Sequence, residues 1–188
     1  MMKLRNVFFV VVGLATIAVA GGPGLKLTPG TVSNGAVAKW IKFGTNSNHA
    51  LYLAKNVPTE VWEAAGAEIG GVRGHVGADL TTLAWTLLDG TREGGSPRWN
   101  IYLDSNGNGQ YDLEDKVIFL DHNTAGGDDD SFDAAEIQAQ ITAQGGNAGD
   151  NILYLEVLVD VQHAVVIDDI QVGLNGETTT FSGPGKSN

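Results

Sequence analysis

Along this chain the hydrophobic positions fall in short, closely spaced runs rather than in long helical stripes. Residues 36–43 and 49–53 alternate on either side of the polar turn 44–48, which predicts two strands joined by a tight connection. Residues 80–88 carry β-branched and aromatic side chains and stop at Asp89-Gly90, so they form a further strand. Residues 99–103 and 116–120 read as a strand pair around one long polar loop. The runs 152–159 and 164–172 are the most strand-like of all, and Asn175-Gly176 signals a hairpin before residues 178–181. One segment changes period. Phe132 to Gln144 is rich in Ala, Glu and Gln, with Asp133 near its start and Gly145-Gly146 beyond its end, which predicts a short surface helix over about 132–144. Residues 59–67 stay open between helix and strand, and the glycine-dense stretch 66–77 reads as a loop. Many short strands, regular turns and one helix make a mostly β protein, an antiparallel β-sandwich.

The first twenty residues stand apart from that pattern. Lys3 and Arg5 precede an apolar run over residues 7–19, which ends on the small residues Ala18-Val19-Ala20. This is the layout of a cleaved secretory signal, and the run is short against the roughly 20 residues of a membrane span. The expected organisation is therefore a signal over 1–20, a lead-in or edge strand over 21–34, one sandwich domain over 35–182 and a tail over 183–188. Secretion places the protein outside the cell or at its surface.

The formal net charge is −11, and removing a signal that holds two bases takes it to −13. Nucleic acid is excluded as a partner, since its affinity comes from basic groups that neutralise phosphates. An anionic membrane surface is excluded for the same reason. Ten of the 22 acidic residues fall between Asp104 and Glu136, against the one base Lys116, so this region repels itself unless a cation offsets it. Cysteine is absent, which rules out disulfides, thiol catalysis and Cys-ligated zinc.

The polar loop between the strands 99–103 and 116–120 supplies a candidate for that cation. Asp104, Asn106, Asn108, Asp112 and Asp115 occupy positions 1, 3, 5, 9 and 12 of a twelve-residue loop. Gly109 sits at position 6, where a sharp turn is needed, and Gln110 offers its backbone carbonyl at position 7. These hard oxygens at that spacing suit Ca2+ as a structural cofactor, with affinity in the weak extracellular range of about 10⁻⁴ to 10⁻³ M. Flanking strands in place of helices make the ion a clip rather than a sensor. Asp128 to Asp130 are candidates for a second ion. Asp168 and Asp169 alternate across a strand, and Arg98 is placed to pair with one of these acids.

The four histidines are scattered, and no nucleophile elbow, His-Glu-x-x-His or phosphate loop occurs, so no enzymatic activity is expected. Trp85 and Trp99 lie within apolar strands and belong to the core. Trp62, between Glu60 and Glu63, is the candidate for an exposed ligand-binding ring. The partner expected is a polysaccharide or another cell-surface protein. Alternatives to a calcium-clipped binding module are a carbohydrate-binding module using Trp62, or a subunit of a surface layer or filament.

Two stretches also resemble a known group of proteins. Gly94-Gly-Ser-Pro-Arg-Trp-Asn-Ile101, and Val166-Ile-Asp-Asp-Ile-Gln-Val172 as closing strand, are similar to runs in secreted bacterial and archaeal jelly-roll domains of carbohydrate-binding-module type. The resemblance covers roughly residues 80–181, and it implies a jelly-roll sandwich and a secreted setting, not an activity. The loop itself resembles those of dockerins. A dockerin has two such loops, each followed by a helix, whereas here a single loop leads into a strand.

Overall fold

The computed structural model describes residues 24–32, 35–44, 48–124, 130–184 and 186–187. The expected signal over residues 1–20 lies outside the described residues, as do Asp128 and Asp129. Two antiparallel sheets make up the fold. The first holds β1 (Lys26–Thr31), β4 (Ala65–Gly70), β9 (Asn151–Val159), β6 (Arg98–Asp104) and β7 (Lys116–Leu120), in that spatial order. The second runs β12 (Lys186–Ser187), β11 (Glu177–Gly183), β10 (Ala164–Leu174), β3 (His49–Lys55) and β2 (Ala36–Lys42). Here β5 (Leu80–Gly90) pairs with β10, and the short β8 (Ser131–Asp133) pairs with β5. Among the described residues α1 (Ala134–Ala143) is the one α-helix.

Period-two alternation explains where the core sits. On β6 the residues Trp99, Ile101 and Leu103 are fully buried, and on β9 their counterparts Leu155 and Val157 are too. Trp85 on β5 meets Trp99 across the gap between the sheets, ring centroids 5.7 Å apart. Both rings are core, as the apolar strands around them imply. Each large apolar side chain buried in this way contributes about 1.5–3 kcal/mol.

The lead-in forms β1, an edge strand against β4, and the tail region adds β12 against β11. The glycine-dense stretch read as a loop is instead partly β4. Its inward residues Ala65, Ala67 and Ile69 are buried, and Gly66 lies so close to β9 that a Cβ there would meet the Val157 carbonyl at 3.0 Å. Small residues serve tight sheet contact here, and they hide the strand from propensity. Asp168 and Asp169 do not simply alternate. Asp169 takes a positive φ of 46°, and the register with β5 shifts between Asp168 and Gln171, a bulge that turns both acids off the regular pleat.

The helix begins and ends on side-chain and backbone caps. The Asp133 carboxylate accepts from the Glu136 N–H at 2.9 Å, and the Glu136 carboxylate accepts from the Asp133 N–H at 2.9 Å. At the other end Gly145, at φ 78°, closes the last turn, with its own N–H and that of Gly146 donating to Thr142 and Ile141. Ile137 and Ile141 are fully buried, and α1 packs against β5 and β7. The Gln144 amide then reaches the outer edge of β7, accepting from the Phe119 N–H at 3.0 Å and donating to the Phe119 carbonyl at 2.8 Å. Two residues on, the Thr124 hydroxyl bonds the N–H and C=O of Asp121 at 2.9 and 2.8 Å.

Candidate functional site

The β6–β7 hairpin carries the twelve-residue loop, and its flanks are strands as the sequence implies. Asp104 ends β6 and Asp115 precedes β7, and both are buried at the mouth of the hairpin. Backbone donors hold their carboxylates in place. Asp104 accepts from the N–H groups of Asn108 at 3.0 Å and Gly109 at 2.8 Å, while Asp115 accepts from Ser105 at 2.9 Å and Asp112 at 2.8 Å. Between them the chain winds through successive Asx turns. Asn106 accepts from the N–H of Asn108, Asn108 from Gln110 and Asp112 from Glu114. Gly107 and Gly109, at φ 74° and 73°, provide the left-handed corners such winding needs.

This winding brings three of the expected ligands together. One Asp112 oxygen accepts from the side-chain amides of Asn106 at 2.9 Å and Asn108 at 2.7 Å. The Glu114 N–H, followed by the Asn106 amide, holds the Asp112 carboxyl below the usual carboxylate range. Asp104 and Asp115 close the two ends of the loop. Gln110 lies exposed on its crest, and the Arg73 guanidinium bonds the Gly109 carbonyl beside it. The donor set is thus one of carboxylates mixed with amides. Among the described residues no three Asp, Glu or His side chains form a metal-binding group. Asp130 takes another course, its carboxylate accepting from Arg92 Nε at 2.7 Å and Nη2 at 2.5 Å.

Trp62 stands apart from the loop, at the rim of a groove of about 280 Å3 on the outer face of the first sheet. The residue is 50% exposed, the most exposed of the aromatics there. The floor comes from the outward set of β6, namely Arg98, Asn100 and Tyr102. Arg98 pairs through both terminal nitrogens with Asp160, at 2.8 and 2.5 Å, and its guanidinium lies 4.9 Å from the centroid of the Phe119 ring. Its partner is therefore the connection residue Asp160, not Asp168 or Asp169. Lys55, buried at one side, donates to the carbonyls of Thr59, Val61 and Asp160 at 2.9, 2.6 and 2.8 Å. These three bonds hold the segment bearing Trp62 against the sheet.

Beside the floor, on the same face, Glu156 accepts from the Tyr102 hydroxyl at 2.7 Å and from the Asn100 amide at 3.2 Å. Burial pushes the Glu156 carboxyl up, and burial beside Glu156 pushes the Tyr102 phenol up. The loop and the groove meet at Tyr111. This loop residue lines the groove and packs edge-on against Tyr102, centroids 5.3 Å apart. The spacing Arg98-x-Asn100-x-Tyr102, polar and aromatic opposite Trp99, Ile101 and Leu103, is the sequence signal for this face. The remaining wall residues come from distant segments. No family model, curated protein or solved structure matches the chain.

Proposed function

We propose that this chain is a secreted, non-enzymatic β-sandwich module of jelly-roll type that binds ligands outside the cell or at its surface, with Ca2+ as a structural clip on the β6–β7 hairpin. The observation that carries this reading is the convergence of Asn106, Asn108 and Asp112 between the anchored carboxylates of Asp104 and Asp115. A bound cation would neutralise these three acids and cross-link the two strands that the loop joins. The amide donors now facing Asp112 partly fill that electrostatic role. Secretion rests on the signal-like residues 1–20, and the non-enzymatic reading on a sequence that carries no nucleophile elbow, His-Glu-x-x-His or phosphate loop.

Thermal unfolding in a calcium titration tests the clip. At about 10 mM Ca2+, ten to a hundred times the expected dissociation constant, linkage gives about 1.4–2.7 kcal/mol of added stability. For a domain of this size that raises Tm by roughly 3–10 °C. Asp112→Asn keeps the shape of the turn and is expected to remove most of the shift, and Asp104→Ala with Asp112→Ala all of it. A melting temperature indifferent to millimolar calcium would overturn the reading.

A further inference from the structure

We infer that Asn106 and Gly107 form a self-modification site, where the Asn106 side-chain amide is hydrolysed through a cyclic imide and the loop gains a carboxylate. The chemistry needs only the chain and water. The Gly107 nitrogen gives its proton to hydroxide and attacks Asn106 Cγ, forming a new C–N bond. The Cγ–Nδ2 bond then breaks, and ammonia leaves with a proton taken from water. Water next opens the imide, with no change of oxidation state. Entry at Cγ gives aspartate, and entry at the main-chain carbonyl gives isoaspartate.

The fold selects this pair among its like. Asn-Gly occurs at 34–35, 106–107, 108–109 and 175–176, and Asn34 lies outside the described residues. At 108–109 the nucleophile is engaged. The Gly109 N–H donates to Asp104 Oδ2 at 2.8 Å, and a carboxylate there opposes loss of the proton. At 175–176 the asparagine is clamped. Its own N–H donates to the Asp79 carbonyl at 2.8 Å, its side-chain amide reaches His75 Nδ1 at 3.2 Å, and Leu174 pairs with Glu177 across the turn. Neither restraint applies at 106–107. Both residues are exposed, and among the described residues the Gly107 N–H has no hydrogen-bond partner. Nothing lies within 4 Å of where a Gly107 Cβ would stand, so hydroxide reaches the site freely. The electrophile is also prepared. Asn106 Oδ1 accepts from the Asn108 N–H at 3.0 Å, and this is the oxygen on which negative charge develops as the ring closes.

Conversion changes what the loop asks of a cation, a consequence that rests on the reading of the loop as a calcium clip. The Asn106 amide donates to Asp112 Oδ2 at 2.9 Å. Aspartate at 106 replaces that donor by a like charge, so the calcium-free hairpin loses stability. With calcium bound, a carboxylate at position 3 joins those of Asp104, Asp112 and Asp115, and higher ligand charge tightens the ion. Isoaspartate adds a carbon to the main chain and removes one from the side chain, which breaks the twelve-residue spacing.

Peptide mapping by mass spectrometry, on the purified chain aged without calcium at mildly alkaline pH, tests the site. A gain of about 1 Da is expected at Asn106, about fivefold or more faster than at Asn108 or Asn175. The three rates should converge in guanidinium chloride, where the fold no longer distinguishes them. Equal rates in the folded chain, or Asn108 or Asn175 converting first, overturn the proposal. So does an order that persists in guanidinium chloride, since local sequence would then set it. Melting of Asn106→Asp, which reproduces the aspartate product, tests the consequence. Its calcium-free Tm should lie below the parent's by roughly 2–4 °C. Its half-saturating calcium should fall by about tenfold. A variant that needs as much calcium as the parent overturns the consequence. If parent and variant are both indifferent to calcium, the clip is removed and the modification site stands. A calcium shift in the parent without selective conversion at Asn106 removes the site alone.

Discussion

Glu156 is a carboxyl group held on the outer face of the first sheet by Tyr102 and Asn100, and burial raises its pKa, with Glu68 adding to the rise and Arg98 opposing it. The consequence for stability has a definite sign. A raised folded pKa means that the contribution is fully present below the ordinary value of 4.5 and is lost as pH rises through the folded value. Above the ordinary value, burial of this carboxyl therefore costs the fold stability. Glu156→Gln keeps an acceptor for the Tyr102 hydroxyl, so it should raise Tm at neutral pH, with the difference from the parent vanishing toward about pH 4. A gap that stays constant with pH would count against this account. At this scale the sequence was readable where the immediate neighbours decide the outcome. Trp62 among acids is exposed, and Trp85 and Trp99 among aliphatics are buried. It was unreadable where a partner is remote. Arg98 finds Asp160, 62 residues away in a connection, while the bulge at Asp169 takes Asp168 and its neighbour out of the simple alternation.

Among the elements, α1 was legible because local chemistry defines both of its ends. Asp133 and Glu136 form reciprocal caps, and Gly145 supplies the left-handed residue that stops the helix. Replacing Asp133 by Ala should cost about 1 kcal/mol. In urea this lowers the unfolding midpoint without changing the slope, and an unchanged midpoint would mean that the cap is redundant. The β6–β7 hairpin was equally legible, since apolar alternation on both flanks admits strands and not helices. By contrast β4 falls where 59–67 stays open between helix and strand and the glycines of 66–77 predict a loop. Its Ala and Gly residues carry little strand propensity, and they are selected by the close approach of β9 behind them. The groove was legible only in its floor, where Arg98, Asn100 and Tyr102 alternate with core residues. Its walls come from residues 59–64, from Tyr111 and from Phe119, and no period links these.

For the whole molecule, the two-sheet architecture with one helix follows from the pattern of short strands, but its connectivity does not. The chain changes sheets at β1–β2, β3–β4, β4–β5, β5–β6, β7–β8, β8–β9 and β9–β10. Alternation tells which face of a strand is buried and is silent on which of two layers the strand joins. The edge of the first sheet closes with a consequence of its own. The Gln144 amide offers Phe119 the same donor and acceptor that a neighbouring peptide group would, and Thr124 does the same for Asp121. To an incoming strand β7 therefore offers Phe119, and Asp121 beyond it, with N–H and C=O already engaged. Gln144→Ala should cost about 1 kcal/mol and increase self-association in light scattering, whereas a variant as monomeric as the parent would show that β7 is shielded by other means. If copies of this protein ever polymerise by lending strands, an incoming strand meets capped groups at β7 and, among the described residues, no strand partner but β4 at β1, and such a fibre would have a direction built into every subunit.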